Sequence, residues 1–106
     1  MATKMRARRD KDGTEIVALI EHPMESGERT DPQTKAKIAA HYIQKVTFML
    51  NGKEAAVLDL GTAVSRDPIL KVKLTQAKPG DRVKLVWSDN KGETGEKDLL
   101  IPRERG

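Results

Sequence analysis

From Thr14 onward apolar and polar residues change places at every second position. A side-chain period of two is the mark of a strand with one buried face. The strongest instance surrounds Asn51-Gly52. Before it, Val46, Phe48 and Leu50 alternate with Lys45 and Thr47; after it, Ala56, Leu58 and Leu60 alternate with Ala55, Val57 and Asp59. Asn and Gly both tolerate positive φ, so this dipeptide between two alternating runs predicts a two-residue hairpin. The hairpin would join Tyr42–Leu50 to Lys53–Leu60 at the centre of the fold.

The same period recurs on either side. Thr14 to His22 is apolar and β-branched and ends at Pro23. Ile69 to Thr75 sets Leu70, Val72 and Leu74 against Lys71, Lys73 and Thr75. Lys78-Pro79-Gly80-Asp81 has Pro and Gly in the order of a type II turn. Arg82 to Trp87 then turns Val83, Leu85 and Trp87 inward, and Asp89-Asn90-Lys91-Gly92 leads into Thr94 to Ile101. Lys4 to Arg9 reads as a weaker edge strand. About seven strands with turn signals at this spacing predict an all-β fold, an immunoglobulin-like β-sandwich. A chain of 106 residues is the length of one such domain, so residues 1–106 are read as a single unit.

One segment breaks the rhythm. Residues 23–40 form a long loop holding Met24-Glu25-Ser26-Gly27 and Asp31-Pro32, and Thr34 to Ala40 has the composition of a short helical turn. Connections of this length in a compact domain commonly carry function.

Composition removes several classes. There is no cysteine, hence no disulfide framework, thiolate metal site or cysteine nucleophile. The longest apolar run, Ile16 to Ile20, is far too short to span a bilayer. The basic start has no apolar stretch behind it, so no export signal is expected. The net charge of +4 sits wholly in residues 1–11, which hold five basic side chains against Asp10. One short basic arm and three scattered aromatics do not make a nucleic-acid surface. Trp87, on an inward strand position, reads as a core anchor.

Catalysis finds few candidates. His22 and His41 are the only histidines, and Ser26 shares a loop with His22, which makes a Ser–His pair thinkable. No nucleophile-elbow glycines surround Ser26. Two histidines 19 positions apart, without cysteines, argue weakly for a metal. Glu25, Glu28 and Asp31 lack the dense alternation of a calcium loop. No catalytic residue, cofactor or metal ligand is assigned.

The loop carries a resemblance. Leu19-Ile20-Glu21-His22-Pro23-Met24-Glu25-Ser26-Gly27, with Arg29 and Asp31 after it, resembles the SoxZ family of sulfur-oxidation proteins. The similarity continues through Tyr42-Ile43, Val46-Thr47-Phe48 and Asn51-Gly52-Lys53, and returns at Asp67-Pro68 and at Val86 to Asn90 with Gly92. Lys37-Ile38-Ala39 departs from relatives that have a Gly and Ile-Pro in this loop.

The resemblance implies a non-catalytic subunit of the SoxYZ sulfur carrier. SoxZ-type chains are immunoglobulin-like sandwiches that pair with SoxY, whose C-terminal cysteine arm holds sulfur intermediates during thiosulfate and sulfide oxidation. It also implies a periplasmic location, reached by export together with the signal-bearing SoxY, and transient contacts with other Sox enzymes. His22, Pro23, Met24, Glu25, Ser26, Gly27 and Arg29 are then expected at or near the partner interface, with Met24 as an adaptable apolar knob. A homo-oligomer of the chain alone is compatible with exposed partner-binding strands. The alternatives are a stand-alone immunoglobulin-like binding module and a small enzyme using His22 and Ser26.

Overall fold

The computed structural model describes residues 2–102. Seven strands form: β1 (Thr3–Asp10), β2 (Gly13–Ile20), β3 (Ile43–Leu50), β4 (Lys53–Asp59), β5 (Ile69–Leu74), β6 (Arg82–Asp89) and β7 (Thr94–Leu100). They pair in two antiparallel sheets, β1-β2-β5 and β4-β3-β6-β7. The architecture is the expected all-β sandwich. One pairing departs from constant-type immunoglobulin domains, where the fourth strand sits with the first, second and fifth. Here β4 stays with β3, because the tight Asn51-Gly52 turn holds the two in one hairpin. Both turn residues have positive φ, 50° and 85°.

The inward rows match the alternation. Val46 and Phe48 from β3, Val83, Leu85 and Trp87 from β6, and Ile16, Ala18 and Ile20 from β2 are all at most 2% exposed. Fully burying a side chain such as Phe48 or Ile16 contributes about 1.5–3 kcal/mol. Ile101, just past β7, is also fully buried. Its backbone anchors the Pro79-Gly80 turn: Gly80 N–H donates to Ile101 O at 2.9 Å and Ile101 N–H to Asp81 O at 2.9 Å.

Close approach fixes two glycines. At Gly13 (φ +139°), an added Cβ would stand 2.6 Å from the Leu74 carbonyl oxygen, where β2 crosses the end of β5. At Gly95, an added Cβ would stand 2.7 Å from Trp87 Cζ2, so the indole lies directly on the β7 backbone. The indole N–H of Trp87 donates to Thr3 Oγ1 at 3.0 Å, tying β6 to β1 across the sandwich.

The helical turn expected over Thr34 to Ala40 does not form. Asp31 takes over the local backbone instead. Its Oδ1 accepts the N–H groups of Gln33 (2.8 Å) and Thr34 (3.3 Å), and Lys35 adopts φ +63°, which ends any helix. The loop is a small irregular hairpin, closed by bridges between Thr30 and Lys37 and between Glu25 and His41. Its departing and returning limbs are therefore bound to each other, and His41 is delivered beside the start of the loop.

Candidate functional site

The loop returns over one end of the sandwich, where β2 ends and β6 turns into β7. Three separate stretches of chain meet there. His22 follows β2, His41 closes the loop hairpin, and Asp89 is the last residue of β6. Asp89 Oδ2 lies 2.9 Å from His22 Nε2 and 2.8 Å from His41 Nε2. The two imidazole rings meet edge-to-face with centroids 4.5 Å apart, and His22 makes a second edge contact to Trp87 at 5.5 Å. The side chains of His22 and Asp89 are wholly enclosed, whereas His41 keeps 14% exposure.

Asp89 is held from both sides. Its Oδ1 accepts the N–H groups of Lys91 (3.0 Å) and Glu93 (2.9 Å), closing the β6–β7 turn. Burial opposes ionisation of this carboxyl, but the hydrogen bonds from His22, the Glu93 amide, His41 and the Lys91 amide outweigh it and bring its pKa down to about 2. The group is a carboxylate under ordinary conditions. Glu93 Oε2 stands 3.3 Å from His41 Nε2, adding a second carboxylate on the solvent side.

The donor set is one that can face a metal: His22, His41 and Asp89 offer ligand atoms within 4.8 Å of one another. The hydrogen bonding fits protons better. His22 Nδ1 faces the backbone N–H of Met24 at 3.2 Å, so that nitrogen must present its lone pair and the ring proton belongs on Nε2, aimed at Asp89. A metal would require the Nε2 lone pair. The arrangement is thus a histidine–carboxylate–histidine clamp that fastens the loop to the sandwich.

The same geometry separates the Ser–His pair. Both ring nitrogens of His22 are engaged, and the Ser26 hydroxyl accepts the Glu28 N–H at 3.2 Å in a local turn. Two acidic residues of the loop, Glu25 and Asp31, are likewise engaged locally. Glu25 binds Arg29 in a two-pronged pair, Nη2 to Oε1 at 2.6 Å and Nε to each oxygen at 3.1 Å. Asp31 caps its own turn.

The residues expected at a partner surface divide into two sets. Met24 is 6% exposed and lies in the core, with φ +49° and its sulfur accepting the Ile43 N–H at 3.3 Å. It is a plug under the loop rather than a surface knob, because the turn after Pro23 points its side chain down between the sheets. His22 is buried beside it. Pro23, Glu25, Ser26 and Gly27 are half-buried and Arg29 is exposed, so these five form the outer crest.

Two further stretches reinforce the same end. Asp67 Oδ1 accepts the His22 N–H at 2.9 Å, and Asp67 N–H donates to His22 O at 3.0 Å. Asn90 accepts the Tyr42 N–H at 2.8 Å and donates to Ala40 O at 2.8 Å. The strings around His22, Asp67 and Trp87–Asn90, far apart in the chain, are therefore one structural unit. The chain also matches the family model described as "Sulphur oxidation protein SoxZ" over residues 3–99. The chain belongs to the SoxZ family. No curated protein matches it.

Membership covers nearly the whole described chain and gives a role in sulfur oxidation. The long loop is clamped to the sandwich at both ends, by His22 and by His41 on Asp89. Sequence reasoning missed the partners that make it so. Asp89 reads as an ordinary turn residue, and nothing in the spacing of His22, His41 and Asp89 announces that they converge. No helix among the described residues is long and apolar enough to cross a membrane.

Proposed function

We propose that this chain is the non-catalytic subunit of a SoxYZ sulfur carrier. It binds and supports a SoxY partner, whose C-terminal cysteine holds the sulfur intermediates, and it acts in the periplasm after export with that partner. The observation that carries this reading is the SoxZ match across residues 3–99 of a chain that contains no cysteine of its own. A carrier whose thiol lies on the other subunit asks this one for shape, not for chemistry. The clamped histidines suit that role, since their ring atoms serve the loop rather than a substrate.

The loop crest, Pro23, Glu25, Ser26, Gly27 and Arg29, is the proposed contact with the partner, held from beneath by His22 and Met24. The Glu25–Arg29 pair fixes two long side chains in one orientation, which lowers the ordering cost of binding.

The test is intact-mass spectrometry of whatever copurifies with the chain from its native host. A 1:1 partner with a C-terminal cysteine carrying added sulfur or sulfonate mass is the expected result. Recovery of the chain alone, with no such partner, would instead leave a stand-alone β-sandwich binding module.

A further inference from the structure

The outer faces of the two sheets differ in how their charges are matched. On the four-stranded sheet, cations face carboxylates across the strands. Lys45 stands opposite Asp59 and Lys84 opposite Asp98, and Lys84 Nζ also lies 3.4 Å from Glu96. That face neutralises itself. The three-stranded sheet does so only in part: Glu15 stands opposite Arg8 and Lys73, but the next two rows hold cations with no facing carboxylate.

Strand pairing lays its outward residues in rows: Lys4, Leu19 and Ile69 in one, Arg6, Val17 and Lys71 in the next. Val17 thus lies between two cations and Leu19 beside one, and Ile69 at the sheet edge is 64% exposed. A shallow groove of about 320 Å³ runs between Lys4, Arg6, Val17, Leu19 and Ile69. Among the described residues, Lys4, Arg6 and Lys71 have no carboxylate within ion-pair distance. Lys73, one row further on, is already paired with Asp10 at 2.9 Å.

Edge-strand cations by themselves discourage strand-on-strand aggregation. That purpose does not call for an apolar centre of Leu19, Val17 and an open Ile69 between them. An apolar centre in a polar rim is the layout of a protein interface. The patch is also continuous with the loop end, because Leu19 lines a second hollow together with Pro23 and Arg66.

We propose that the outer face of β1-β2-β5 is a docking surface for an acidic protein face, an apolar patch rimmed by carboxylates, on the partner subunit. This rests on the partner-subunit reading above and adds which face is used and what chemistry meets it. Val17, Leu19 and Ile69 supply the desolvated centre, while Lys4, Arg6 and Lys71 steer the approach and set its register. The basic start of the chain is, on this assignment, one side of a two-sided recognition surface.

The experiment measures binding of the full chain to its SoxY partner across a salt series. Three variants are compared with wild type: Ile69→Asp, the double change Arg6→Glu with Lys71→Glu, and the control Val57→Asp on the opposite sheet. All four positions are at the surface, and circular dichroism confirms folding of each. Ile69→Asp should weaken the complex by about tenfold or more, mainly through faster dissociation. The double reversal should slow association by about tenfold at low salt and flatten its salt dependence. Val57→Asp should bind like wild type. If the β1-β2-β5 variants bind no more weakly than Val57→Asp, the face is wrong although the carrier reading stands. If the double reversal instead abolishes binding to DNA or to anionic vesicles while the SoxY complex is unchanged, the occupant is wrong. A wild-type chain that forms no complex with SoxY overturns both readings.

Discussion

His22 and Asp89, 67 positions apart, meet with Nε2 and Oδ2 at 2.9 Å and both side chains fully enclosed. This contact joins the end of β2 to the end of β6. It also fixes the residue just before the long loop against the opposite sheet, and His41, just after the loop, bonds the same oxygen. Removing the carboxylate would strand the His22 ring N–H, leave His41 with Glu93 alone, and free the two amides of the β6–β7 turn.

Asp89→Ala should therefore be among the most damaging single changes in the chain. Breaking a buried charged cluster by deleting one member costs about 3–5 kcal/mol. In a domain of this size each kcal/mol moves Tm by about 4–8 °C, so a fall of roughly 15 °C or more is expected by calorimetry. A fall of only a few degrees would show that the clamp is not a principal support of the loop.

Acid should expose the same group. The Asp89 carboxyl titrates at about 2 in the folded chain and near 3.8 when unperturbed. A depressed pKa contributes stability that is full above the unfolded value and is lost as pH falls through the folded one. Stability should fall from about pH 4 down to about pH 2, and the fall should be shallower in Asp89→Asn. Asp10, lowered by Lys73 at an exposed position, and Glu25, lowered by its Arg29 partner at a half-buried one, act in the same direction. Denaturant melts at stepped pH check the difference between the two proteins.

Gly95→Ala tests the contact between β7 and the indole. A methyl at 95 would overlap the Trp87 ring, so ring or strand must shift, and the expected outcome is that the ring moves and loses its bond to Thr3. Overpacking of this kind costs about 1–3 kcal/mol. Trp87 is the sole tryptophan, so its fluorescence should shift to longer wavelength as the ring leaves the core. Unchanged emission would mean the strand gives way instead of the ring.

Met24 separates packing from partner contact. Met24→Ala should destabilise the isolated chain by about 2–5 kcal/mol, the range for truncating a buried methionine. Met24→Leu keeps the volume and should cost under about 1.5 kcal/mol. Under conditions where both variants are folded, their affinity for SoxY should match wild type, measured by titration calorimetry. A selective loss of affinity in folded Met24→Leu would put this side chain back at the interface.

The sequence by itself determined the strands and their inward faces. The period of two at Val46, Phe48 and Leu50, or at Leu70, Val72 and Leu74, is local information, since successive side chains of a strand must face opposite ways. The Asn51-Gly52 turn is equally local, because only its two residues need positive φ. The family, too, was legible in the His22–Gly27 string. What only the tertiary structure decided was the meaning of that string. Met24 reads as a surface knob until φ +49° turns it into the core. The helical composition of Thr34 to Ala40 yields to Asp31, whose side chain satisfies the backbone first. His22, His41 and Asp89 have no spacing rule in common, because their meeting depends on the packing of two sheets and the closure of a loop hairpin. The unmatched cations of Lys4, Arg6 and Lys71 become a surface only once antiparallel register sets β1 and β5 on either side of Val17 and Leu19. Periodicity is a property of neighbours along the chain, whereas a site is a property of neighbours in space.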